Sequence, residues 1–128
     1  LTLSKLKVTM LVEKLKSEIL EIEGISFVAV EVDLDAQGMK DLSFELGGTL
    51  DHAMLVFGSK KSGKALLSCY ISKSLVSDQQ KDAGSIVRNL GKHIQGGGGG
   101  QAFFATAGGK NPEGISTALA AAKQACFS

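Results

Sequence analysis

Five consecutive glycines, Gly96, Gly97, Gly98, Gly99 and Gly100, are followed after seven intervening residues by a second pair, Gly108 and Gly109. Glycine loses more backbone freedom on folding than any other residue. An ordered tract therefore implies that something bulky must come close to the main chain, and the usual partner of bare backbone amides is phosphate. The alternative is a flexible linker. The surroundings favour order: a periodic apolar segment precedes the tract, and a strand-like Phe103-Phe104-Ala105 segment, the second glycine pair and another helical pattern follow it. Cations and polar groups flank the glycines. Arg88, Lys92 and His93 come before them, Gln101 directly after, and Lys110 after the second pair. Lys60, Lys61 and Lys64 form another basic group in the segment GSKKSGK. Such residues can neutralise phosphates along a polyanion backbone.

The charge distribution agrees. The chain carries a formal net charge of only +1. Leu1 to Val56 holds five Lys and ten Asp/Glu (−5), whereas Phe57 to Ser128 holds nine Lys/Arg and three acids (+6). The glycines lie in the basic half, and a domain polarised in this way turns its positive face to an anion or polyanion, unless those lysines are ordinary solubilising surface. At 128 residues and 44% apolar content the chain can bury one core, which must be aliphatic because Trp is absent and aromatics are 5%. Cys69 and Cys126 are far apart in apolar stretches, which favours buried thiols in a reducing compartment over a disulfide framework. No apolar run is long enough to span a bilayer and no signal peptide is visible. A start at Leu1 inside a helical pattern suggests the end piece of a longer protein.

The elements that must position these groups follow from periodicity. Val8, Val12, Leu15, Ile19 and Ile22 are spaced 4, 3, 4, 3, which predicts a helix from Leu3 to Glu23 ended by Gly24. With fewer than four heptads, packing on its own domain or a preceding helix is favoured over self-association. Ile25 to Asp33 reads as a strand. Asp35 caps a helix running to Gly47. Ala53–Phe57 and Ala65–Ser72 read as strands flanking a hairpin turn at GSKKSGK, and Asp82 caps a helix with Ala83, Ile86, Val87, Leu90 and Ile94 on one face. A short strand from Phe103 to Thr106 and a last helix, opened by Pro112 and running from Ile115 to Cys126, complete the order. The expected class is α+β, a two-layer arrangement of about four strands in a mixed sheet with helices mostly on one face. Residues 1–24 are expected to form a helical arm and 25–128 the globular domain.

Catalytic motifs are approached but not completed. Gly58 to Ala65 nearly spells a phosphate-binding P-loop, but Ala65 stands where the metal-binding hydroxyl belongs, and LLSCYIS after it is strand rather than helix. Asp51-His52-Ala53 lacks the second His of a DHH metal-phosphoesterase signature. His52, Cys69, His93 and Cys126 show no zinc-ligand spacing. No acid–base pair or triad stands out, so this stretch is expected to be non-catalytic and free of cofactors.

Val87-Arg88-Asn89-Leu90-Gly91-Lys92-His93-Ile94-Gln95, the five glycines, and Ala105-Thr106-Ala107-Gly108-Gly109-Lys110-Asn111-Pro112 strongly resemble the C-terminal, DHHA1-type domain of bacterial alanyl-tRNA synthetases. The final Ala118-Leu119 helix matches too, and the resemblance covers roughly Ile25 to the end. Family members often carry a basic residue where Gln101 stands, and Met-Ala-Gln where this chain has Phe104-Ala105-Thr106, which bears on particular side-chain contacts. The resemblance implies an accessory domain that binds the elbow of alanine tRNA, couples aminoacylation to editing of mischarged tRNA, contacts the other synthetase domains and in some members supports a homodimer through the N-terminal helix. It implies ATP, Mg²⁺ and Zn²⁺ for the parent ligase and a cytoplasmic location. The glycine amides at Gly96–Gly100 and Gly108–Gly109 are then expected to approach RNA, with Arg88, Lys92, His93 and Lys110 neutralising phosphates and Lys60, Lys61 and Lys64 extending the footprint. Phe103 and Phe104 either stack on an elbow base or fill the core, the latter favoured because aromatics are scarce. Two other readings stand beside this one. One is a substrate-binding domain of a DHH-type phosphoesterase, which would place a His where Gln101 stands. The other is an oligomerisation module built on the first helix.

Overall fold

A computed structural model describes residues 3–61 and 63–127, with the backbone alone described at 3, 4, 61 and 79. The chain runs α1 (Leu3–Lys16), β1 (Leu20–Ile22), β2 (Ile25–Glu31), α2 (Ala36–Gly47), β3 (Ala53–Lys61), β4 (Lys64–Ile71), α3 (Lys73–Gln79), α4 (Ala83–Gly91), a 3₁₀ turn at Lys92–Ile94, β5 (Gly96–Gly100), β6 (Phe104–Gly109), a 3₁₀ turn at Pro112–Gly114 and α5 (Ile115–Phe127). One sheet holds all six strands in the order β1-β2-β3-β4-β6-β5. β2 and β3 are parallel and every other pair is antiparallel, so the sheet is mixed, as expected from the sequence.

The two strands beyond the expected four come from opposite ends of the sheet. The first helix stops at Lys16 instead of reaching Glu23. Ser17 Oγ caps it by donating to Lys14 O at 2.8 Å. The β-branched Ile19 and Ile22 then serve the sheet rather than a helix face. A two-residue turn with Glu23 at φ 52° and Gly24 at φ 80° brings Ile22 opposite Ile25, the positive-φ pair that a tight hairpin requires. The other addition is the glycine tract itself, which is strand β5. α3 was not expected from the polar segment KSLVSDQ. It begins where Ser72 turns its hydroxyl away to accept the Ala53 amide at 2.8 Å.

Helices cover both faces rather than mostly one. On one face Phe27, Met54, Val56, Leu67, Cys69, Ile71, Ala105 and Ala107 meet α4 and α5 through Ile86, Val87, Leu90, Ile115, Ala118 and Ala122. On the other, Val28, Leu55 and Phe57 meet Met39, Leu42 and Leu46 of α2 and Val8, Val12 and Leu15 of α1. The second face is covered only in part. α2 packs over β3 and β4, while Thr106 and Gly108 of β6, further across the sheet, are exposed. Fully burying one such Leu or Phe is worth about 1.5–3 kcal/mol, so the two layers together hold the sheet.

Two side-chain caps set the helices that frame the site. Asp35 Oδ1 accepts the Gly38 amide at 2.8 Å at the start of α2, and Asp82 Oδ1 accepts the Gly84 amide at 3.0 Å at the start of α4. Asp82 also receives the Ser85 hydroxyl at 2.9 Å. Asp82→Ala is expected to lower stability by about 1 kcal/mol, measured as a shift of the urea midpoint with an unchanged slope.

Candidate nucleic-acid interface

β5 forms one edge of the sheet and pairs with β6 alone, Gly96 opposite Gly109 and Gly100 opposite Ala105. Its register with β6 is closed by Gln101, whose amide donates to Phe104 O at 2.9 Å. Counting back in twos along an antiparallel ladder, Gly99 and Gly97 bond β6, and Gly96, Gly98 and Gly100 turn their amides and carbonyls to the outer edge. The glycines are required by this geometry. A Cβ at Gly98 would fall on Thr106 O and lie 2.6 Å from Ala107 Cα, and one at Gly96 would fall on Gly108 O. By contrast, a Cβ at Gly97 would meet nothing within 4 Å. Gly84 and Gly91, seven apart on α4, let that helix press on β5: a Cβ at Gly91 would stand 3.2 Å from Gly96 O.

This revises the expected role of the tract. β6 lies between β4 and β5, so the amides of Gly108 and Gly109 belong to the sheet. What Gly97 and Gly108 offer solvent is a sheet surface without side chains, more than a row of free donors.

The remaining candidate residues lie in four places. Register gathers Lys60, Lys64 and Lys110 at one end of the sheet: Lys60 is opposite Ala65, Ala65 is opposite Gly109, and Lys110 follows. The Asn111 amide donates to Ile94 O at 3.0 Å, which brings the Lys92–Ile94 turn to the same end. Four strands at about 4.8 Å spacing make this end roughly 14 Å wide. Lys60, Lys64, Lys92 and Lys110 are all exposed there. Lys60 also stands 3.9 Å from Glu31 of β2, an exposed pair of little energetic weight, and exposed Glu113 follows Pro112 near Lys110. The side chain of Lys61 lies outside the described residues. Arg88 sits apart along the edge strand. Its Nη1 is 3.6 Å from where a Cβ of Gly99 would be, and its Nη2 is 3.4 Å from Ser85 Oγ. His93 lines a groove between α4 and α5 with Leu90 and Ala121, on the covered side of the sheet. Gln101 is exposed at the far end of β5.

Sequence reasoning missed an aromatic group at the end opposite the lysines. Phe44 of α2 is edge-on to Tyr70 of β4 at 5.3 Å, and its ring centre lies 5.3 Å from that of Phe104 and 6.3 Å from that of Phe103. Lys73 Nζ stands 5.6 Å from the centre of the Phe103 ring. Phe103 and Phe104 are half-buried against one another's neighbours rather than sunk in either core layer, and Phe44 is 39% exposed. The signal available in sequence was the i, i+2 repeat Ser68/Tyr70 and Phe104/Thr106, which sets each pair on one sheet face; their meeting needed the β4–β6 register. The second face thus offers an uncovered strip: aromatics at one end, bare glycine beside Thr106 in the middle, Lys64 and Lys110 at the other end, while Lys60, opposite Ala65, is on the face covered by α4 and α5.

The hairpin GSKKSGK is continuous strand up to Lys61 and again from Lys64, so no helix follows it to receive a phosphate in P-loop fashion. Cys69 and Cys126 are buried in one core layer. A side-chain hydrogen bond from Cys126, with burial, holds the Cys69 thiol well above its usual range, which makes it a packing group rather than a nucleophile. Among the described residues no helix is long and apolar enough to cross a membrane.

A six-stranded mixed sheet with a glycine edge strand and this helix order defines a domain class, and the chain belongs to the DHHA1 domain family, whose model matches residues 24–127. Within that class its relatives include alanine–tRNA ligases. The chain is 58% identical over 92% of its length to an alanine–tRNA ligase of Christiangramia forsetii and 41% identical over 91% to one of Flavobacterium psychrophilum. It spans about a seventh of these curated relatives, 14% and 13% of their lengths. Its fold is that of the C-Ala domain from Aquifex aeolicus alanyl-tRNA synthetase, with a TM-score of 0.69 at 24% identity, covering 81% of this chain and 91% of that one.

Proposed function

We propose that this domain is the tRNA-binding accessory domain of an alanine–tRNA ligase, that it holds the elbow of alanine tRNA, and that it keeps one tRNA engaged between aminoacylation and editing. The ligase works in the cytoplasm and uses its ATP and metal chemistry elsewhere in the chain. The observation that carries this reading is the uncovered strip of the sheet. Folded RNA is recognised by shape, by contacts to phosphate and sugar, and by stacking on unpaired bases. A surface stripped of side chains at Gly97 and Gly108 lets a ribose-phosphate chain lie close. Arg88 at its edge and the lysines at its end supply charge, and half-exposed Phe103 and Phe104 supply ring faces.

The test is a titration of the domain against alanine tRNA and an unrelated tRNA across salt. Affinity should fall steeply with salt. Arg88→Ala with Lys92→Ala should weaken binding about tenfold at low salt and flatten the log–log salt slope by about two, one per phosphate contact. An unchanged slope would remove Arg88 and Lys92 from the interface.

A further inference from the structure

We propose that Ser85 is a positioning residue for the RNA site: backed by Asp82, it holds the Arg88 guanidinium beside the bare edge strand as a ready-made seat for one phosphodiester group of the RNA. This rests on the RNA-binding reading above and assigns Ser85 and Asp82 within it. Asp82, Ser85 and Arg88 form a chain of hydrogen bonds along the first turns of α4. The Ser85 hydroxyl donates to Asp82 Oδ2 at 2.9 Å, so its lone pairs are free to accept from Arg88 Nη2 at 3.4 Å. Asp82 is itself fixed, because its Oδ1 accepts the Gly84 amide at 3.0 Å. Donation therefore runs one way, from guanidinium to hydroxyl to carboxylate.

The guanidinium ends between two stretches of bare backbone. A Cβ at Gly84 would stand 3.5 Å from Arg88 Nη1, and one at Gly99 would stand 3.6 Å from it, so Nη1 lies against α4 and β5 at once. The residues on either side of Gly99, Gly98 and Gly100, turn their amides to the same outer edge. Arg88 is exposed and, among the described residues, forms no ion pair. Most of its N–H donors are therefore left for a ligand, in the planar fork that matches two phosphate oxygens. An exposed arginine otherwise samples many rotamers, and ordering it on binding opposes association. Arg88 has given up part of that freedom before RNA arrives. Lys64, Lys92 and Lys110 differ: among the described residues their side chains have no hydrogen bond or ion pair.

The test is a double-mutant cycle read in alanine-tRNA affinity. Ser85→Ala should weaken binding about three- to fivefold and leave the log–log salt slope unchanged, because Arg88 keeps its charge. Arg88→Ala should lower the slope by about one, and adding Ser85→Ala to it should cause no further loss. Ser85→Thr keeps the hydroxyl and should bind as the parent does. In the RNA-free protein, Nε relaxation measured by NMR should show the Arg88 side chain more mobile in Ser85→Ala than in the parent. Additive losses in the double variant, a Ser85→Thr protein as weak as Ser85→Ala, or equal Arg88 mobility in parent and Ser85→Ala would overturn the positioning role and leave tRNA binding by the domain intact. A parent protein that does not bind tRNA would instead defeat the functional reading as a whole.

Discussion

Gly98→Val should destabilise the domain by about 3 kcal/mol or more, while Gly97→Val, one residue earlier, should fold as the parent does. The contrast follows from which way each position faces. At Gly98 the new Cβ would fall on the Thr106 carbonyl oxygen and lie 2.7 Å from the Ala107 Cβ. Both neighbours belong to β6, an interior strand held on two sides, so neither can withdraw without breaking a ladder. The strand must peel away, and α4 loses its seat against β5. At Gly97 nothing lies within 4 Å of the added atom. There valine improves strand propensity, so stability should stay level or rise. The cost falls on function instead: a branched side chain on the open floor should keep RNA from close approach and weaken tRNA binding about tenfold. Urea melts and amide exchange of β5 measure the first effect and a tRNA titration the second. A Gly98→Val protein with parental stability would show that the edge strand tolerates separation from β6.

Charge reversal at the sheet end should have the largest effect on binding. Lys60→Glu, Lys64→Glu and Lys110→Glu together turn three cations on β3, β4 and the residue after β6 into three anions within about 14 Å. Removing three phosphate contacts should cut the log–log salt slope by about three and lower tRNA affinity by about 10²–10³-fold at 50 mM salt. Repulsion from the new carboxylates adds to the loss. These side chains are exposed, and the one ion pair among them, Lys60 with Glu31 at 3.9 Å, is on the surface. Stability should therefore change little, and an unshifted thermal melt separates lost binding from lost fold. Retention of parental affinity would place the RNA elsewhere on the domain.

Several local features were legible before any coordinates. Asp35 and Asp82 cap α2 and α4 through side-chain oxygens, as Asp ahead of an apolar-periodic run predicts. The β3–β4 hairpin was visible as two apolar runs around a basic, glycine-containing turn, although its strands extend further than the apolar residues do. The mixed sheet and the α+β class followed from the order of elements. Other features resisted for identifiable reasons. Ile19 and Ile22 continued a helical spacing that β1 interrupts, because pairing with β2 outweighs a helix face that would have had nothing to bury it. The tract at Gly96–Gly100 has no side chains, hence no periodicity and no propensity to announce a strand.

Residue types and their order alone determined that the second half of this chain is basic, rich in bare backbone, short of catalytic groups and similar to one family of tRNA-charging enzymes. Tertiary structure decided what the glycines are for. Strand pairing fixes that Gly96 and Gly98 must be bare so that β5 can lie on β6, and leaves Gly97 and Gly108 bare toward solvent. It also drew lysines 50 residues apart, Lys60 and Lys110, to one sheet end and carried His93 to the other side. It buried Ser68 without a partner beside the open strip. None of these follows from local sequence, because each depends on register between strands far apart in the chain, and register is set by the packing of both sheet faces at once.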